Sequence, residues 1–310
     1  DVNTMILTEE NGLAEDKIRC ILEDTEGNIW AGTNQNGISC FRGARFEVYF
    51  RSRGGTNTQI NAIFGDGKGD MWFGANNRVM RMTEPGRKVQ TIELGYVGRD
   101  AEVTSIIEDK KGRIWISTWG SGVFFRERDQ SEINRFTGRI PANSDITFNE
   151  NFVYAMHSDR QGRIWFSMLQ GLAVYNPVEN SVKTYTRRDG LPENSITDIQ
   201  EDSLGRLWIG TSGRGLCILD KGHFTPVRTT DIRINPSISS LSMDANGKIW
   251  IATEGGGIYS FDGRKYTSYT VSDGIPSNYV SFIEADRLGS VWLGTHKGIC
   301  QFDPIRKTAL

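Results

Sequence analysis

Few residues in this sequence are placed to do chemistry. The three histidines, His157, His223 and His296, lie far apart in the chain. None stands at the spacing of a zinc-binding pair such as H-E-x-x-H. No G-x-S-x-G elbow presents a nucleophilic serine, and no glycine-rich loop ends in the residues of a phosphate cradle. Carboxylates are plentiful, yet none is set apart as half of a glycosidase pair. His296, beside Lys297, is the one general-base candidate, and it reads as readily as a polar surface residue. The sequence therefore assigns no catalytic residue, no metal site and no cofactor.

What the chain offers instead is a series of short polar segments: Asn34-Gln35-Asn36, Asn76-Asn77-Arg78, Trp119-Gly120-Ser121, Leu169-Gln170, Ser212-Gly213-Arg214, Glu254-Gly255-Gly256 and His296-Lys297. Planar amides and cations suit a polyhydroxylated ligand, because they meet hydroxyl groups in fixed geometry, and an aromatic ring packs on a sugar face. Arg78, Arg214 and Lys297 against Glu254 leave these segments at +2 in a chain of net charge −2, which leans toward an anionic ligand. Of the eight tryptophans, Trp119 alone falls outside the repeat described next. It reads as a ligand platform or as a lid over the segment that follows, which carries Phe148 and Phe152. The candidate ligand contacts are thus Trp119, Gln35, Arg78, Phe148, Phe152, Gln170, Arg214, His296 and Lys297, each weighed against an ordinary solvated turn.

The elements that must position these segments repeat. Around Trp30, Trp72, Trp115, Trp165, Trp208, Trp250 and Trp292 an Asp always stands six residues before the Trp and a Gly three before it, as in Asp202-Ser203-Leu204-Gly205-Arg206-Leu207-Trp208. This is the chemistry of a tight β-hairpin: the Asp side chain accepts from backbone two residues on, and the Gly supplies a positive φ. A second glycine (Gly37, Gly122, Gly171, Gly215, Gly257 or Gly298) opens a third strand, and a run such as Tyr266-Thr267-Ser268-Tyr269 gives a fourth. The Trp-to-Trp spacing is 42 or 43 residues, except for 50 between Trp115 and Trp165. Units of about 40–45 residues with four strands are propeller blades. The fold expected is an all-β, seven-bladed β-propeller with four antiparallel strands per blade, and 1–310 is read as one domain.

The first blade strands begin near Ile18, Ile60, Val103, Val153, Ile196, Ile238 and Val280. Residues 1–10 align with the fourth-strand run at Tyr266, and the last blade lacks such a strand, so the N-terminal strand should close the C-terminal blade and remove two free sheet edges. Blade two has Ala75 for Thr and Arg78 for Gly, so its second turn must differ, and blade four has Met168 for Thr. The extra length between blades three and four lies within 138–152. Uniform Asp–Gly turns then share one face, and the polar segments share the opposite face with the long crossings. Variable tips on a rigid scaffold are where function resides.

Composition excludes several classes. With 36 basic and 38 acidic residues, the chain lacks the footprint of a nucleic-acid binder. No apolar run approaches a membrane span, and no signal peptide is visible. Cys20, Cys40, Cys217 and Cys300 form no C-x-x-C pair and read as small buried thiols.

The run Ile199-Gln200-Glu201-Asp202-Ser203-Leu204-Gly205-Arg206-Leu207-Trp208-Ile209-Gly210-Thr211, with Gly215-Leu216 after it and Asp189-Gly190-Leu191-Pro192-Glu193-Asn194 before it, resembles the two-component regulator propeller repeat. The resemblance recurs along essentially the whole chain. It implies a periplasmic sensor region of a membrane-anchored hybrid receptor, many of which respond to polysaccharide fragments and carry a second propeller and a β-sandwich. On that footing the expected partners are an oligosaccharide or other small ligand and the neighbouring domains of a larger receptor. A homodimer is compatible with this, and nucleic acid is not expected. Two other readings stay open: a protein-interaction scaffold, and an enzyme resembling the propeller lyases that open cyclic antibiotics.

Overall fold

Each Asp–Gly turn is a hydrogen-bond hub built from one carboxylate. In the turn of blade four, one Asp159 oxygen accepts from the backbone N–H groups of Gln161 and Arg163, both at 2.9 Å. The other accepts from the Trp165 indole N–H at 2.8 Å and from Arg163 Nε at 2.6 Å. The Asp-to-indole bond recurs in all seven repeats, from Trp30 to Trp292, at 2.7–3.3 Å. The six-residue spacing is thus the reach from a turn carboxylate to the polar edge of a buried ring. A buried tryptophan needs such an acceptor. The glycine of each turn takes a positive φ, 79° at Gly162.

The computed structural model describes residues 2–50, 58–83, 88–94, 101–137, 151–227 and 237–307. Every hairpin extends into a four-stranded antiparallel sheet, and there are seven such sheets, so the fold is an all-β seven-bladed propeller. Blade one shows the pattern with strands Ile18–Glu23, Ile29–Thr33, Ile38–Phe41 and Phe46–Tyr49. The second strands are buried along their whole length apart from Trp119 at the end of Ile114–Trp119, as the Trp-bearing strand Ile164–Met168 illustrates. Blade seven takes its outer strand from the N-terminus: Val2–Leu7 pairs antiparallel with Gly298–Lys307, Leu7 opposite Ile299 and Met5 opposite Gln301.

By packing, the chain resolves into two compact units, Asp1–Ile63 with Arg228–Leu310, and Phe64–Val227. In the first, Trp250 packs with Val280, Leu293 and Phe302 of blade seven, and Trp292 packs with Ile18, Ile29 and Phe41 of blade one. In the second, Trp115 packs with Phe166 and Tyr175 of blade four, and Trp165 with Ile196, Ile199 and Ile209 of blade five. The linker turns supply further wedges. Thr186 and Thr270 each cap a short 3-10 turn closed by a left-handed glycine, and the residues that follow, Leu191 and Ile275, are buried between consecutive blades. Asn194 and Asn278 hold these turns by accepting from the backbone of Arg187 and Val271, both at 2.9 Å.

Polar stitches accompany the apolar wedges. Glu23, Glu108 and Glu201, each just before a turn Asp, accept the backbone N–H of a residue in the preceding blade's turn: Arg287, Gly67 and Arg160. Arg287 and Arg160 return a guanidinium to the next turn's carbonyls. Six first strands carry a β-bulge after their first or second residue. Three bulged hydroxyls, on Thr104, Ser239 and Ser281, donate to the carbonyls of Val153, Val280 and Ile18 in the next blade. Close approach also fixes residue size: a Cβ on Gly294 would lie 2.8 Å from Ile18 Cγ2 of the next blade. The four cysteines are buried and unpaired.

These hubs make stability depend on acid in two stages. Burial alone would raise the carboxyls of Asp24, Asp159 and Asp202, but the indole and backbone donors outweigh it and hold all three below the ordinary 3.8. Burial pushes His157 below its ordinary 6.5 against the opposing pull of Glu201, whose Oε2 is 3.7 Å from Nε2. In both cases the unfolded chain binds more protons on acidification, so stability falls as pH drops. We expect chemical-denaturation midpoints to decline first below about pH 6.5, through His157, and more steeply below about pH 3.8, through the aspartates. His157→Gln should flatten the first decline alone. A midpoint that rises between pH 7 and pH 5 would contradict the buried, neutral His157.

Candidate functional site

The polar tips are built by the Thr that precedes them. Thr33, Thr118, Thr211, Thr253 and Thr295 are fully buried. Each Oγ1 donates to the carbonyl of the glycine that opens the third strand, at 2.8–3.0 Å. Each also accepts a tip N–H, from Asn36, Ser121, Arg214, Gly256 and Lys297 respectively. The Thr and second Gly therefore close the turn, and the residues between them are free to differ.

Blade two reaches the same end without Thr. Its tip is the two-residue turn Asn76-Asn77 with Asn76 at φ 48°, and Arg78 is the first residue of the third strand, Arg78–Thr83, paired with Glu93. Arg78 is half-buried there, so it belongs to the sheet rather than to the loop. Trp119 likewise ends the second strand, Ile114–Trp119, and only Gly120 and Ser121 form the turn. In blade four, the tip Leu169-Gln170 is exposed.

The sequence candidates fall into separate groups. In the unit Phe64–Val227, Trp119 forms an isolated bridge with Phe152. Its half-buried ring meets Phe152 at 4.7 Å and Tyr154 at 4.8 Å between centroids. Burial pushes the Tyr154 phenol up, while a hydrogen bond with Ser195 pulls the other way. This shelf runs from blade three through blade four toward blade five, whose tip exposes Arg214. Phe148 lies outside the described residues. In the unit Asp1–Ile63 with Arg228–Leu310, Gln35 is exposed on a tip whose backbone N–H donates to Glu15 at 2.6 Å. His296 and Lys297 are exposed on the tip of blade seven. The Nδ1 of His296 is 3.5 Å from Ser277 Oγ, long for a bond that would orient a catalytic base.

Two site residues were missed by the sequence reading, Tyr154 and Tyr279. For Tyr279 a signal was present: the residue just before a first strand is aromatic at two of the seven blades, Phe152 and Tyr279. A cavity of about 460 Å³ lies elsewhere, between blades three and four on the side of the Asp–Gly turns, lined by Trp115, Phe125, Phe136 and Tyr175 with Arg113 and Asn180. Arg113 is already engaged there by Asp109 at 2.6 Å. Among the described residues no cluster of three His, Cys, Asp or Glu side chains could hold a metal ion. Among them, too, no helix is long and apolar enough to cross a membrane.

Five stretches, 12–35, 98–120, 147–170, 190–213 and 233–255, match the family model of the two-component regulator propeller. They cover the hairpins of blades one, three, four, five and six. Similar folds occur in solved structures. The extracellular domain of a putative hybrid two-component system from B. thetaiotaomicron superposes with a TM-score of 0.82 at 24% identity, over 98% of this chain and 41% of that one. That of a putative one-component system from the same organism gives 0.75 at 20% identity, over 100% and 40%. A catalytically inactive virginiamycin B lyase from Staphylococcus aureus, bound to quinupristin, gives 0.80 at 16% identity, over 98% and 100%. At these identities the likeness establishes the fold. The chain spans about two fifths of the length of the two extracellular domains. No curated protein matches the sequence.

Proposed function

We propose that this chain, a member of the two-component regulator propeller family by its repeats, is a non-catalytic extracytoplasmic sensor propeller that binds a polysaccharide fragment on its tip face. One observation carries the reading. The Asp–Gly side is consumed by structural bonds, turn to indole and blade to blade, whereas the tips of blades five and seven close through a buried Thr and leave Arg214, His296 and Lys297 exposed, and the tip of blade four leaves Gln170 exposed. Exposed amide and guanidinium groups in the unit that carries the Trp119–Phe152–Tyr154 shelf are the equipment for a hydroxylated ring rather than for bond cleavage. Two of the structural neighbours named above are extracellular receptor domains, which supports a position outside the cytoplasm as one module of a larger chain. Such a domain acts by binding one conformation of its receptor better than another.

The test is a thermal-shift screen against neutral, uronic and sulfated oligosaccharides. A ligand that binds the native state at 100 times its Kd adds about 2.7 kcal/mol of stability. At least one oligosaccharide is expected to raise the melting temperature, and Trp119→Ala is expected to reduce that rise. A chain that responds to none of them, yet retains a protein from the same envelope in a pull-down, would be a scaffold. A Trp119→Ala chain that binds as tightly as the parent would remove that ring from a major role.

A further inference from the structure

We infer that Tyr279, at the junction of blades six and seven, is a preformed stacking platform for a pyranose ring, with His296 as its polar wall. This deepens the sensor reading and rests on it. The contrast with blades three and four is what points to the site. Phe152 and Tyr279 occupy the same place, one residue before a first strand, and each bridges the tip of the blade before it: Trp119 with Phe152, Glu254 with Tyr279. In the first pair the tip side chain is an indole, which packs against the Phe152 ring at 4.7 Å. In the second the tip continues into Gly255, and Tyr279 is left 65% exposed.

The ring is exposed but not loosely held. The backbone N–H of Tyr279 donates to Ser277 Oγ at 3.0 Å, and Ser277 is buried. The carbonyl of the preceding Asn278 accepts from Gly255 at 3.0 Å and Gly257 at 2.9 Å, and the Asn278 side chain caps the turn at Val271. Gly255 has φ +101°, and a Cβ there would lie 3.4 Å from the Tyr279 ring, so the ring rests on bare backbone. A large ring whose backbone is already fixed loses little freedom on binding. The His296 imidazole stands at 71° to it with centroids 6.5 Å apart, forming a corner. With Nδ1 beside Ser277, Nε2 is the nitrogen that meets a ligand hydroxyl. The carboxylate of Glu254, which accepts from Ser237 at 3.0 Å, borders the same bridge. One flat apolar face beside groups that exchange hydrogen bonds matches a sugar ring, with C–H bonds on one face and hydroxyls at its rim.

The experiment is calorimetric titration of the parent, Tyr279→Phe, Tyr279→Ala and Trp119→Ala chains with neutral, uronic and sulfated hexose oligosaccharides of four to six rings. Tyr279→Ala should weaken the best-bound oligosaccharide about tenfold or more, as loss of a central aromatic contact does. Tyr279→Phe should stay within about threefold, because stacking survives without the hydroxyl. If the parent binds and Tyr279→Ala, with an unchanged melting temperature, binds equally well, the platform is overturned and the sensor reading stands. Should Tyr279→Ala fail to fold, a parental affinity in a folded Tyr279→Leu chain, which keeps the bulk and loses the flat ring, overturns it equally. If the parent binds none of the oligosaccharides, both fall together.

Discussion

Replacing Trp165 by alanine is expected to lower the free energy of unfolding by about 3–5 kcal/mol, the cost of emptying the site of a buried large aromatic. The ring is 1% exposed and lies among Leu191, Ile196, Ile199 and Ile209, so these neighbours belong to the next blade and the turn leading into it and cannot close the gap without moving a blade. It also carries a polar term that the hydrophobic one conceals. Its N–H is donated to Asp159, which is itself 2% exposed and holds Arg163, whose guanidinium carbon sits 5.2 Å over the same ring. Trp165→Phe should therefore cost more than its lost area implies, since the carboxylate loses a donor it cannot replace from solvent. Asp159→Ala should cost about 2–4 kcal/mol by stranding the indole and two turn N–H groups together. The double variant should cost less than the sum by about 0.5–3 kcal/mol, the coupling of residues in one network. Denaturant unfolding of the parent and the four variants measures all of this. A Trp165→Ala cost under about 1 kcal/mol would mean that the side chain is not interleaved between blades.

That network marks where sequence reading succeeds and where it stops. The period of about 42 residues, the Asp–Gly turns and the N-terminal strand were legible because each is a local pattern repeated until chance is excluded. The bond from Asp to indole was not, although both residues were identified at a fixed offset, because an offset does not say that a turn carboxylate reaches over the strand end to a ring edge. The Glu before three of the turn aspartates, Glu23, Glu108 and Glu201, was visible as a residue but not as a stitch, since its partner is a backbone N–H some forty or more positions away. The turn of blade two was expected to differ, and it does, through the left-handed Asn76. The tips were the hardest. Types and spacing suggested Arg78 and Trp119 as loop residues, whereas both lie in strands, and only coordinates reveal which rings are covered. Tyr279 stands out in the sequence only by its place just before a first strand, shared with Phe152, and nothing in the string S-N-Y-V distinguishes a platform from a packed tyrosine.

Deleting residues 1–10 is expected to lower the melting temperature sharply. The outer strand of blade seven is Val2–Leu7, and its loss exposes the free edge of Gly298–Lys307 from Ile299 to Asp303, with every ladder bond on that side unmade. Leu7 is 7% exposed and packs with Ile18, Trp292 and Ile299, so the cut opens the core that blades seven and one share. Burial of one such leucine is worth about 2–5 kcal/mol against alanine. At about 2–4 °C per kcal/mol for a unit of this size, a fall of roughly 4–20 °C should follow. The deletion alone would not distinguish a lost strand from general damage, but Gly298 does. It sits at φ +99°, and a Cβ there would run into the Leu7 carbonyl. In the full chain Gly298→Ala meets both the backbone strain and that contact; in the shortened chain only the strain remains. The substitution should therefore cost less after the deletion than before it, and a peptide of residues 1–13 added in trans should restore part of the melting temperature. Equal costs in the two backgrounds, or an unchanged melt on deletion, would show that the first strand does not close the last blade.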